Sequence, residues 1–264
     1  MMNDITMRRA IKWSAFSKSD VGCVREVNED ATLSRTEIGL WAVADGMGGY
    51  EAGDIASGMV VDALSEIEDE IAFNTFIDSV EDKLLEVNKH IQEYASVMCD
   101  NKIMGSTVVS LVIRGRLGAC LWAGDSRLYR YRNGELQQLS QDHSQVEELI
   151  QQGFLKREDA INHPETNVIT RAIGACEEVF IALNVFSTQI GDTYLLCSDG
   201  LYNSITDDNL VEFLSLNNAE ESTSKLLSIA LENNASDNVS LIIIRGEADK
   251  IENNNSADEV VNNE

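Results

Sequence analysis

The chain has 264 residues, enough for one large domain or two small ones, and its apolar and charged fractions are ordinary for a folded globular protein. Against 20 Lys and Arg stand 45 Asp and Glu, a formal charge of −25, which argues against a non-specific grip on nucleic acid or on an anionic membrane. The five cysteines (Cys23, Cys99, Cys120, Cys176, Cys197) are odd in number and show no C-x-x-C spacing, so a disulfide framework and a zinc site are not expected, and a reduced, cytoplasmic protein is.

The first residues, MMNDITMRRAIKWSAFS, carry charge but no apolar h-region; residues 1–18 read as a short N-terminal extension and not as a secretory signal. IGLWAVA (Ile38 to Ala44) is an apolar run of strand length. Behind it, DGMGGYEAG places four glycines within eight residues of Asp45, more than a plain turn needs; glycine tolerates positive φ and the close approach of backbone or ligand. Ile55, Met59, Ala63, Ile67 and Val60, Leu64, Ile67, Ile71 then recur at helical spacing, and Ile77, Val80, Leu84, Val87, Ile91, Tyr94, Met98 predict a second helix, the two forming an antiparallel pair. From Thr107 the period changes to a meander of four strands, with turns at Arg114-Gly115-Arg116 and Asn133-Gly134 and a kink at Gly124. The polar stretch from Asp142 to Gly174, with short helical pieces at Val146 to Ile150 and Arg157 to Ile161 and the only proline, Pro164, reads as an inserted flap. FIALNVFS and TYLLCS are further strands; Thr206-Asp207-Asp208 opens a helix, another follows near Ser222 to Leu231, and VSLIII (Val239 to Ile244) is a buried strand. Residues 246–264 are Asn-rich and acidic and read as a disordered tail. No stretch approaches the ~18 apolar residues of a membrane span.

Asp45 has company. Asp125 follows CLWAG, Asp199 follows YLLCS, Asp237 precedes NVSLIII, and Asp30 closes REVNED before another β-like segment. A single Asp-Gly is a turn signal. Asp45-Gly46, Gly124-Asp125-Ser126, Ser198-Asp199-Gly200 and Ser236-Asp237-Asn238 together are hard to explain as four unrelated turns. Strand ends of antiparallel sheets can converge at one edge, and a few carboxylates completed by water suit Mg²⁺ or Mn²⁺.

In order and wording, SDVGCVREVNEDA, WAVADGMGGYEAGDIAS, GSTVVSLVI, WAGDSRLYRYRNGELQQLSQDHS, VITRAIG, YLLCSDGLYNSIT and SDNVSLIII resemble the metal-dependent protein phosphatases of the protein phosphatase 2C family in its compact bacterial form. The resemblance runs from Ser19 to Ile244 and implies a catalytic domain over residues 19–245. It implies an α+β fold, a four-layer α-β-β-α sandwich of two antiparallel sheets flanked by helical pairs, with a binuclear Mn²⁺ or Mg²⁺ centre at one end. Carried over residue by residue, Asp45 bridges the two ions, Gly46 offers its carbonyl to one, Asp199 and Asp237 hold the other, and Asp30 orders water. Asp125 and Asp199 match the ligands of a third, weaker ion, and Arg25 matches the arginine that receives the substrate phosphate. The implied reaction is hydrolysis of phosphoserine and phosphothreonine on proteins by direct attack of a metal-bridging water.

No cysteine nucleophile is needed, and Cys23 and Cys197 read as small buried hydrophobes. His143, in SQDHS, reads as structural; His90 and His163 read as surface residues. One departure matters: animal members carry a histidine, proposed as general acid, two positions after the bridging acid, where this chain has Met47. Metal-bound water, on the third ion, is then expected to protonate the leaving oxygen. The resemblance further implies a monomer with phosphorylated proteins as partners, a cognate serine/threonine kinase opposed, no nucleic acid and no membrane insertion. The N-terminal MRRAIKWSAFSKSDVG is similar to secretion-linked members. The competing reading is a catalytically weak sensor or scaffold of the same fold, which would have lost metal acids; none is missing here.

Overall fold

The computed structural model describes residues 9–48, 52–98, 103–160, 163–165 and 168–249. Among them the elements run β1 (Ile11–Asp20), β2 (Asp30–Arg35), β3 (Leu40–Gly48), α1 (Ala52–Ser65), α2 (Phe73–Met98), β4 (Met104–Ser106), β5 (Val108–Arg114), β6 (Leu117–Ala123), β7 (Arg127–Arg132) and β8 (Glu135–Gln138). There follow α3 (Gln145–Gln151), α4 (Arg157–Ala160), β9 (Ala182–Ser187), β10 (Thr193–Cys197), α5 (Asp199–Tyr202), α6 (Asp207–Leu214), α7 (Ala219–Glu232) and β11 (Val239–Ala248).

The strands form two antiparallel sheets, ordered β1-β11-β10-β7-β8 and β2-β3-β5-β6-β9, with β4 paired to β3. Three apolar layers explain why the central strands are apolar on both faces. Alternate residues of β3 and β5 (Leu40, Ala42, Ala44; Val108, Val112) pack outward with α1 and α2. Trp41, Val43, Val109 and Leu111 pack inward against Ile242 and Ile244 of β11. Leu241 and Ile243 face the other way, onto Leu210 and Leu214 of α6 and Leu226 of α7. The order of layers is therefore helices, sheet, sheet, helices, the expected four-layer sandwich.

Four features differ from the sequence expectation. β1 begins inside the stretch set aside as an extension and pairs with β11 from Ile11↔Ala248 to Asp20↔Val239, so β11 also runs three residues into the stretch read as tail. Neither end announces itself, because only alternate residues such as Trp13 and Ala15 reach the core. The predicted meander is not one sheet: β5 and β6 belong to one sheet and β7 and β8 to the other, and the chain crosses at Gly124, whose φ is +116°. The helical pattern after Asp45 overruns, since α1 stops at Ser65 and Ile71 is exposed. Cys23 is exposed and free, whereas Cys120 and Cys197 are buried; Cys99, Gly49, Tyr50, Ile161 and the tail beyond Asp249 lie outside the described residues.

Candidate metal centre

The acids singled out in the sequence sit at one end of the sandwich. Asp30 and Asp45 face each other as register partners at the ends of β2 and β3. Asp199 leaves β10 as the first residue of α5, and Asp237 lies two residues before the adjoining β11. Asp125 occupies the crossing between β6 and β7. The two sheets are stitched together here: Ser198 Oγ, at the end of β10, donates to Asp30 Oδ2 at 2.8 Å.

Asp45 is held by its main chain. Its N–H donates to Thr107 Oγ1 at 3.2 Å, and its carbonyl accepts from the Thr107 N–H at 2.8 Å and from Ser106 Oγ at 3.1 Å. Thr107 Oγ1 in turn meets Ser126 Oγ at 2.7 Å, beside Asp125. Gly46 is wedged: a Cβ there would lie 1.9 Å from the Gly53 carbonyl oxygen and 2.7 Å from that of Glu29. Asn238 organises the loop that carries Arg25, accepting from the Glu29 N–H at 2.8 Å and donating to the carbonyls of Val21 and Val27 at 2.9 and 3.0 Å. Arg25 itself, half exposed, donates through Nη2 to Asp237 Oδ2 at 2.8 Å.

The carboxylates disturb one another as a cluster of like charge must. Burial, then repulsion from Asp30, Asp199, Asp125 and Asp237, raises the Asp45 carboxyl well above its ordinary range. Burial followed by the charges of Asp125, Asp237 and Asp30 pushes Asp199 up to about 7. Burial pushes Asp30 up to about 6 in spite of the Ser198 hydrogen bond, and burial with the Asp142 charge pushes Asp125 up to about 6. Asp30 Oδ1 is buried without a hydrogen-bond partner, a cost that a buried acceptor does not carry without compensation. Among the described residues no group of three or more Asp, Glu, His or Cys side chains is set closely enough to hold an ion by itself. Mutually repelling carboxylates, an orphaned acceptor and a glycine cradle make the donor set suited to Mg²⁺ or Mn²⁺.

His143 lies at the root of the flap. Its Nδ1 accepts from the Gly124 N–H at 3.1 Å, its ring stacks on Trp122 with centroids 5.8 Å apart, and burial followed by the nearby Arg171 lowers it to about 4. It is a structural pin, as the sequence suggested; His90 is exposed on α2 and His163 is partly exposed. Met47 packs against Gly105. The far end of the flap returns through Ile173, which exchanges backbone hydrogen bonds with Ser106 at 2.8 and 2.9 Å. Two adjoining grooves of about 570 Å³ each run between flap and β9, sharing Trp122, Gln141, Asp142 and Leu183; neither is lined by the five clustered acids.

Several contributors escaped the sequence reading. Glu29, raised by burial, approaches the N-terminus of α1 at Gly53, but in REVNED it looks like one more surface acid. The hydroxyls of Ser198 and Thr107 carry no signal of their own. Asn238 was visible only as the neighbour of Asp237.

A two-sheet sandwich whose strand ends gather carboxylates, with the Arg25 guanidinium at the rim, defines a candidate divalent-metal site. The protein phosphatase 2C profile matches residues 24–236. The serine/threonine protein phosphatase PstP of Mycobacterium tuberculosis is 34% identical over 227 residues, which are 86% of this chain and 44% of PstP, so the chain spans less than half the length of that relative. The PstP catalytic domain, solved with two manganese ions, superposes with a TM-score of 0.81 at 31% identity, covering 90% of this chain and 99% of that one. The serine/threonine phosphatase stp of Listeria monocytogenes is 35% identical over 86% of this chain and 93% of its own length. PppA, described as a key regulatory component of T6SS in Pseudomonas aeruginosa, superposes with a TM-score of 0.83 at 39% identity, over 90% of this chain and 99% of its own. The chain belongs to the protein phosphatase 2C family.

Proposed function

We propose that the chain is a metal-dependent serine/threonine protein phosphatase that hydrolyses phosphoserine and phosphothreonine on proteins and opposes a bacterial serine/threonine kinase. The observation that carries the reading is the gathering of Asp30, Asp125, Asp199 and Asp237 around the half-buried Asp45, with Arg25 at the rim. Asp45 and the Gly46 carbonyl would hold one ion, with Asp45, Asp199 and Asp237 holding a second, and Asp125 with Asp199 a third, weaker one. When bound, such ions supply Lewis acidity, lower the pKa of water to near neutrality and neutralise phosphoryl charge.

The chain's own residues do the rest. Arg25 offers a planar fork to the phosphoryl oxygens, and its partner Asp237 keeps it near the centre. Asp30, with one carboxylate oxygen lacking a partner, orients the attacking water. Met47 has no proton to give, so the leaving oxygen takes its proton from water. The sensor or scaffold alternative is not favoured, because the sequence retains all five acids and the relatives are named phosphatases.

Four free cysteines among the described residues fit a reducing, cytoplasmic setting, and no helix among those residues is long and apolar enough to cross a membrane. The similarity to PppA, a regulatory component of T6SS, supports a secretion-linked role as a narrower form of this proposal.

The test is hydrolysis of a phosphothreonyl peptide with Mn²⁺, Mg²⁺ or EDTA, run beside Asp199→Asn. Turnover with a divalent ion, lost in EDTA and lowered roughly a hundredfold or more in the variant, is expected. A folded protein inert with both ions would sink the reading.

A further inference from the structure

We propose that Arg127 is a positioning residue that fixes Asp125 against Asp199, and through them the weakest of the metal sites. The inference deepens the metal reading above and rests on it. Arg127 stands two residues after Asp125, on β7, with a side chain 24% exposed. Its guanidinium uses every face. Nε donates to both Asp142 carboxylate oxygens at 3.0 and 3.1 Å, and Nη2 to Oδ2 at 2.6 Å. Nη1 donates to Tyr129 Oη at 2.9 Å. The plane lies over the Tyr202 ring, 3.5 Å from its centroid. Tyr202 then donates through its hydroxyl to the Asp125 carbonyl at 3.2 Å.

This arrangement ties together the two turns that leave the β7–β10 ladder and the root of the flap. Tyr202 ends the single-turn helix that Asp199 begins, and Asn203, the next residue, donates to Asp199 Oδ2 at 3.3 Å. Asp142 is the first residue of the flap, and its neighbour His143 bonds the Gly124 N–H on the other side of Asp125. One permanently charged planar group therefore sets the turn bearing Asp125, the helix bearing Asp199 and the root of the flap. A lysine could keep the charge but not the fork or the stacking. Asp125 and Asp199 each lie two residues beyond Arg127↔Cys197, the last register pair of the β7–β10 ladder, so the ladder brings both turns to one edge; the Arg127–Tyr202 stack and the Tyr202 hydroxyl on the Asp125 carbonyl then fix how the two turns leave it.

Arg127→Lys and Tyr202→Phe test this. The second removes one hydroxyl and leaves the ring under the guanidinium, so it remains informative should the first fail to fold. Mn²⁺ binding to wild type and variants is measured by calorimetry without substrate, beside thermal melting and phosphothreonyl-peptide turnover against Mn²⁺ concentration. The expected result is two tighter sites unchanged within error and a third weakened about tenfold, the range seen when groups supporting metal ligands are removed, with the Mn²⁺ requirement for turnover rising in step. A third site that does not move in either folded variant overturns the proposal. So does parallel weakening of every site in proportion to a lowered melting temperature, which marks a merely structural residue, or a wild type that binds only two ions. A wild type that binds three ions but turns over no phosphopeptide fails the phosphatase reading instead, and the calorimetric comparison still decides the role of Arg127.

Discussion

Gly46 and Arg25 show how differently single residues contribute at this site. A methyl group on Gly46 would stand 1.9 Å from the Gly53 carbonyl oxygen, so Gly46→Ala must push α1 away from β3. Overpacking of this kind costs about 1–3 kcal/mol, and the displaced backbone carries the Asp45 and Gly46 donors. Lowered melting together with weakened Mn²⁺ binding is expected; a variant that binds Mn²⁺ like wild type would refute the cradle. Arg25 is the opposite case. Its side chain is 48% exposed, so Arg25→Lys should leave stability within about 0.5 kcal/mol. Losing a bidentate, charge-assisted contact worth about 1.5–3 kcal/mol should raise KM for a phosphopeptide by tenfold or more. An unchanged KM with a fallen kcat would remove Arg25 from phosphate binding. At this scale four of the acids were legible because each flanks an apolar run beside Gly or Asn, and Asp30 flanks one without such a neighbour. Glu29 was not, because burial and not residue type sets it apart from the other surface acids.

Among the elements, the strands that span both faces of a layer were plain from their unbroken apolar runs, and the Asn133-Gly134 turn was plain from its two positive φ residues. Which sheet each strand joins was not, because β6 and β7 read as neighbours and only Gly124, Asp125 and Ser126 separate them. The pin across that crossing is His143, and it makes a prediction about pH. Its folded value near 4 lies below the ordinary 6.5, so its contribution is fully present above pH 6.5 and lost as pH falls through the folded value. With partial exposure discounted, wild type should lose on the order of 1–2 kcal/mol more than His143→Asn between pH 7 and pH 4.5. Asn keeps an acceptor near Nδ1 but cannot titrate. Denaturant melts of both proteins across that range measure the difference, and parallel curves would refute the role given to the imidazole.

Across the whole molecule, the −25 charge and the clustered acids act in the same direction. Each raised carboxyl favours its protonated form in the fold, so its contribution is complete below the unfolded value near 4 and lost as pH rises through 6 to 7. Divalent ions restore what deprotonation removes, because they bind the charged form and the unfolded chain has no such site. At a hundredfold excess over the dissociation constant, each site adds about 2.7 kcal/mol, several degrees of melting temperature for a domain of this size. The rise produced by Mn²⁺ should therefore be small at pH 5.5, where protons compete for Asp30, Asp125 and Asp199, and should grow through pH 7.5. Taking the rise as a difference between metal-loaded and EDTA-treated protein at each pH cancels the His143 effect, since that residue titrates in both. NaCl matched for ionic strength separates site binding from general screening of the surface charge. A rise that is the same at both pH values, or that NaCl reproduces, would mean that the acids repel one another without holding an ion.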